Sequence, residues 1–439
     1  MSGSTGVATP PRPAPTPAQR MPSPFSLPVH ALRLAGKCAL PLIMWFSVGE
    51  AARFGLLYLG TEISHGDYRQ ARLVATIAVM TLVVMLAMAI TAGMLHSLRG
   101  ALWETAARGG ESERFWVALD RIAPAFAAIY LTWNFVRRDA QAFIQLDWLH
   151  NQDENFYKPI LAAAAEGKKA ETTAGMGLAD LDWRVSLASM LVAMGLRWFF
   201  NRMVERGEGK AAGVASALSE FALFFFGLNA TLTLASLRAD WVGNRQVVAE
   251  SGELWQQARE NVPGWEAFWA AVGEVRPYLV DALIVPLTWL TIAILVFGAF
   301  SEEARTAVRG VRRLEAGVDR LEQSHDLTQR SFNRVTGSFV ERWVPLVNTF
   351  RLVVKGGAPL FGLMCLLYVS LRLGADYADR GVRTLIGSET PYWWLVIGQP
   401  VSFVKDLLVT TLTMCLLAAT FDIAATRARL TGQAVSDGT

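Results

Sequence analysis

RLVATIAVMTLVVMLAMAITAGMLHS, residues 72–97, decides the class of this chain. After Arg72 it carries no acid or base until His96. An apolar run of this length matches the roughly 20 residues that a helix needs to cross a hydrocarbon core of about 30 Å. In lipid every backbone N–H and C=O needs an internal partner, so such a run is helical.

Seven further segments read the same way: 38–60, 117–136, 184–203, 212–237, 277–300, 356–373 and 403–425. The 439 residues are 52% hydrophobic and only 18% charged, against about 25% charged in soluble domains. The expected fold is therefore an all-α integral membrane protein with eight transmembrane helices. Its stable partner is the lipid bilayer. The net charge is only +3 and the arginines are scattered, with no basic stripe interleaved with aromatics, so no nucleic-acid partner is expected.

Loop charge sets the orientation. With the N-terminus in the cytoplasm, the inner pieces hold Arg99, Arg108 and Arg114, then Arg202, Arg206 and Lys210. They also hold ten cations between Arg305 and Lys355, and finally Arg427 and Arg429. The opposite loops are acidic or mixed and rich in Trp: 137–183 has eight acids against five bases. This places a multi-pass protein in the plasma (inner) membrane with both termini cytoplasmic.

The segments group into four like-oriented hairpins. RLAGKCALPL (33–42) and RLVVKGGAPL (351–360) match at a constant offset of 318, and DALIVPLT (281–288) pairs with DLLVTTLT (406–413). These echoes predict a parallel internal repeat. The chain then divides into a Pro-rich disordered tail (1–32), hairpins at 33–115, 116–210, 211–300 and 346–428, and a short disordered C-terminal tail (429–439). Between the third and fourth hairpins, residues 301–345 space apolar side chains in heptads, with Ala304, Ala307, Val311, Leu314, Val318 and Leu321 on one seam. That pattern predicts a cytoplasmic helical hairpin of coiled-coil character. It is a rigid connector, or a surface for a homo-oligomer or protein partner.

Ionisable groups at membrane depth are costly and mark candidate sites. Glu50 lies three residues from Arg53, on the same helical face, and the two neutralise each other. Glu220 has no cation within a turn of its own helix, so its partner must come from another helix or from water. Asp281 and Asp406 are equivalent positions by the repeat. Glu50, Glu220, Asp281 and Asp406 are the candidates for a transported ion or solute. Glu62, Asp139, Asp240 and Asp376 end helices on the outer side and form a candidate ring of outer-mouth carboxylates.

No catalytic residue, metal ligand set or cofactor motif is found. A P-loop, H-E-x-x-H and G-x-S-x-G are all missing from the sequence. The three cysteines, Cys38, Cys365 and Cys415, stand alone in apolar segments and read as packing residues. The reading is a transporter or channel for an ion or small solute. One alternative is a non-transporting subunit or scaffold of a larger membrane complex. Another is a membrane-embedded enzyme with an extracytoplasmic site at Glu62 or Asp67.

Overall fold

The computed structural model describes residues 21–107, 115–132, 136–166, 182–206, 212–243, 271, 273–275, 278–297, 357–387 and 391–436. The side chains of 228–243 are outside that description, Asp240 among them, as is the expected hairpin at 301–345. The described residues are helical apart from short turns.

The main helices are α1 (Leu27–Ser64), α2 (Arg69–Leu98), the short α3 (Trp103–Ala107), α4 (Phe115–Thr132), α5 (Val136–His150), α6 (Lys158–Glu166) and α7 (Trp183–Glu205). They continue with α8 (Ala212–Gly243), α9 (Val285–Phe297), α10 (Ala358–Ile386) and α11 (Pro391–Ser436). Among the described residues, five helical stretches are long and apolar enough to cross a membrane: Pro24–Ser64, Arg69–Ala101, Gly273–Phe297, Ala358–Ile386 and Ile397–Leu430. The chain is thus an all-helical protein with the hallmarks of a multi-pass membrane protein.

Both ends of the helical body lie further out than the composition of the tails suggests. Residues 27–32 belong to α1 rather than to a disordered tail. Pro28 occupies the first turn, where a proline loses no hydrogen bond, and Leu27, Ala31 and Leu34 pack into the core. At the other end, helix replaces the expected disordered tail as far as Ser436.

Proline acts differently in the two matched segments. Pro41 sits inside α1 and withholds the N–H that would reach residue 37, and the helix kinks at Cys38 (φ −113°, ψ 17°). Pro359, its counterpart, opens α10 directly after Gly357, whose φ of +103° ends the preceding backbone direction. Before α9, the chain widens into a π-helical turn at Val280–Ile284. Pro286 follows two residues later, and its ring excludes the carbonyl four residues back.

The consecutive helices that pack closely along their length are α1 with α2, α7 with α8 and α10 with α11. The connection at 207–211 is only a few residues long and forces α7 and α8 to be antiparallel neighbours. α4 packs instead on α9, α8 and α2, and α11 closes the bundle against α1. Most of the core is one apolar cluster drawn from α1, α2, α4, α8, α9, α10 and α11.

Candidate functional site

Small residues let α1 and α2 approach closely, and their register fixes the depth of the charges on α1. A Cβ on Gly49 would fall 2.4 Å from Ile90 Cδ1, and one on Gly60 3.5 Å from Val79 Cγ1. Glu50 and Arg53 therefore lie level with the interior of the uncharged 73–95 stretch of α2, well away from either of its ends.

At that level the helices enclose a cavity of about 660 Å³. Among the described residues, eight charged side chains line it: Glu50 and Arg53 from α1, Arg138 and Asp139 from α5, Arg372 and Asp376 from α10, and Lys405 and Asp406 from α11. Phe46, Ala87, Tyr130, Trp289 and Val409 supply the less polar wall. The structure thus brings Glu50, Asp139, Asp376 and Asp406 together and interleaves them with an equal number of cations.

Arg53 is the hub of the paired charges. Its Nη2 and Nε donate to Asp139 Oδ1 at 2.7 and 3.2 Å, and its Nη1 lies 3.5 Å from Glu50 Oε2. The Tyr130 hydroxyl donates to the other oxygen of Asp139. Asp139 is only 5% exposed, so the guanidinium and the phenol replace the water that a carboxylate requires. On the facing wall Lys405 Nζ reaches Asp376 Oδ1 at 3.4 Å. Five of the eight charges are paired in this way. Arg138, Arg372 and Asp406 have no ion-pair partner among the described residues.

The remaining candidates stand elsewhere. Glu220 on α8 meets Arg197 of α7 at 3.7 Å, a partner from another helix. Asp281 sits in the π-helical turn, outside the cavity lining. Glu62 pairs with His150 at 2.8 Å beside the end of α1, and Asp240 lies in α8 with its side chain outside the described set. The four acids of the expected outer ring are thus not seen as one group: Asp139 and Asp376 face the cavity, each beside a cation. Among the described residues no cluster of three or more His, Cys, Asp or Glu is placed to hold a metal.

A second charged cluster escaped the sequence reading. Asp422 of α11 is fully buried. Its Oδ1 accepts the Glu104 N–H at 2.8 Å, and its Oδ2 accepts the Trp103 N–H at 2.9 Å. His30 Nε2 lies 2.8 Å from the same Oδ2. The two amides open α3, which follows Ala101 and Leu102 and has no local side chain able to cap it. A distant carboxylate takes that role and meets the favourable end of the helix dipole. His30 stacks on the Trp103 ring with centroids 3.8 Å apart, and Arg429 Nε donates to Glu104 Oε2 at 3.1 Å. Asp422 was visible as an acid inside an apolar run, LLAATFDIAAT (416–426). His30 gave no such signal, lying in a proline-rich stretch.

No protein-family model, curated protein or solved structure matches this chain.

Proposed function

We propose that the chain is a transporter or channel that moves a small charged solute or ion through the cavity between α1, α5, α10 and α11. The observation that supports this reading is the eight-charge cavity level with the interior of an uncharged span. Charges at that depth are costly and are retained where they line a solute path.

The finer architecture belongs to the same proposal. α4, α7 and α8 join the five long apolar helices to make eight spans, both termini are cytoplasmic, and the membrane is the plasma membrane. The four like-oriented hairpins rest on the sequence echoes. The close pairing of α7 with α8 reflects a short inner connection between the second and third hairpins. The 301–345 segment serves as a connector or as a surface for a partner or a second copy.

The test is flux in liposomes carrying the purified full-length chain, under ion, proton and small-solute gradients. Wild type is expected to pass at least one of these species, and Asp139→Asn to lose that flux. Glu220→Gln, outside the cavity, should retain it. Absence of flux under every gradient would overturn the proposal. A non-transporting subunit is the second reading, favoured by the pairing of five of the eight cavity charges. It expects a stoichiometric partner on purification in mild detergent and no flux.

A further inference from the structure

The cavity charges that remain unpaired are two guanidinium groups and one carboxylate. Arg138 and Arg372 have no carboxylate within ion-pair distance among the described residues, and neither has Asp406. The unpaired set sums to one positive charge, 2 − 1 = +1, and the five paired groups to one negative charge, 2 − 3 = −1, so the eight charges balance and the positive surplus is local to the two arginines.

The two arginines reach the same cavity from different helices, Arg138 from α5 and Arg372 from α10. Arg372 lies over the Tyr368 ring, 5.0 Å from its centroid. Tyr368 is 1% exposed and its hydroxyl has no hydrogen-bond partner among the described residues. The contact with that ring helps to place the Arg372 guanidinium, and no carboxylate among the described residues occupies its N–H groups. A planar fork of donors matches the paired oxygens of a carboxylate or phosphate, and two unpaired forks lining one cavity favour an oxyanion. Arg53 cannot serve in the same way, because Asp139 and Glu50 already occupy it.

We infer that the cavity binds a small solute carrying a carboxylate or phosphate group, held between Arg138 and Arg372. The inference deepens the transport reading and rests on it for direction of movement, but binding can be measured separately from flux.

The full-length chain in detergent is titrated with succinate and with inorganic phosphate, and binding is followed by calorimetry and by the shift in Tm. At least one probe should raise the wild-type Tm. Arg138→Gln and Arg372→Gln should each weaken binding about 10-fold to 100-fold, the equivalent of one lost charge-assisted interaction. Arg372→Lys keeps the charge without the fork and should fall between. Without ligand Arg138→Gln should melt with the wild type, since it has no carboxylate to leave behind, whereas Arg372→Gln loses its contact with the Tyr368 ring and should melt slightly lower; the Arg138 variant shows that lost binding is not lost folding.

A lipid source is separated from a free solute by nanodiscs of phosphatidylcholine with and without phosphatidylglycerol. If the occupant is an anionic lipid headgroup, added phosphatidylglycerol abolishes the succinate response. If it is a free solute, the response persists, and both results support the site. An equal response in wild type and in both glutamine variants overturns the inference. So does the lack of any response to succinate, phosphate and phosphatidylglycerol. Flux without oxyanion binding would remove this ligand class and leave transport standing, whereas binding without flux would do the reverse.

Discussion

Asp422 and the cavity carboxylates are made of the same material, an acid set in an apolar helix, yet they are completed in different ways. Asp422 has every oxygen engaged: two backbone amides and an imidazole close around it, and no solvent reaches it. In the cavity, Asp139 is matched by Arg53 and Tyr130, while Asp406 across the same space has no counter-charge among the described residues. A saturated acid has no capacity left for a ligand and acts as a fastener. The unpaired charges, Arg138, Arg372 and Asp406, are exposed and keep their hydrogen-bonding capacity for a ligand.

The sharpest way to break this comparison is Asp422→Ala. It strands three donors in a dry site and should cost about 3–5 kcal/mol of stability, measured by denaturant unfolding in detergent. A loss below about 1 kcal/mol would show that the cluster is not a fastener. Next comes Asp139→Ala, expected near 3 kcal/mol because Arg53 keeps Glu50 and some solvent. The double variant with Arg53→Met should recover part of that loss. Strict additivity of the two single changes would mean that the pair does not interact.

The depth of the cavity depends on the α1–α2 contact, and two glycines there are not equivalent. A Cβ on Gly93 would meet the Trp45 ring at 2.5 Å, whereas on Gly49 it meets the free end of Ile90 at 2.4 Å. Gly93→Ala should destabilise by about 1–3 kcal/mol, since a ring cannot turn aside as a methyl can. Gly49→Ala should cost less, and the reverse order in thermal melts would contradict the register. At the far end of the scale is Glu62→Gln, which removes an exposed pair with His150. Such pairs contribute little, so the melting curve should superimpose on wild type, and a clear drop would place Glu62 in a structural role.

The five long apolar helices were legible in the sequence because hydrocarbon thickness imposes a length that composition alone reports, as 72–97 does. The Glu50–Arg53 contact was legible too, since helical spacing puts residues three apart on one face. What could not be read were contacts across the chain. Nothing in one sequence ties Arg53 to Asp139, 86 positions away, or Asp422 to the start of α3. The tail boundaries were misplaced for a related reason: Leu27 and Leu34 are ordered by their neighbours in the core rather than by local composition. Tertiary packing also decides that Pro41 bends a helix and Pro359 begins one.

α11 carries both kinds of acid on a single stiff rod. From Asp422 to Asp406 it rises about 24 Å, with no proline between them. The Asp422 end is tied to α1 and α3 by hydrogen bonds, and the other end meets α1 through Phe46 and Phe403 and α10 through Lys405 and Asp376. A tilt of about 5° at the Asp422 end carries Lys405 and Asp406 through about 2 Å, by simple leverage along a helix of this rise. That sweep is comparable to the margin between a closed ion pair and an open one at Lys405 and Asp376. A single unbroken helix therefore sets the distance between the saturated acid and the open one, and a displacement at either cluster is carried to the other.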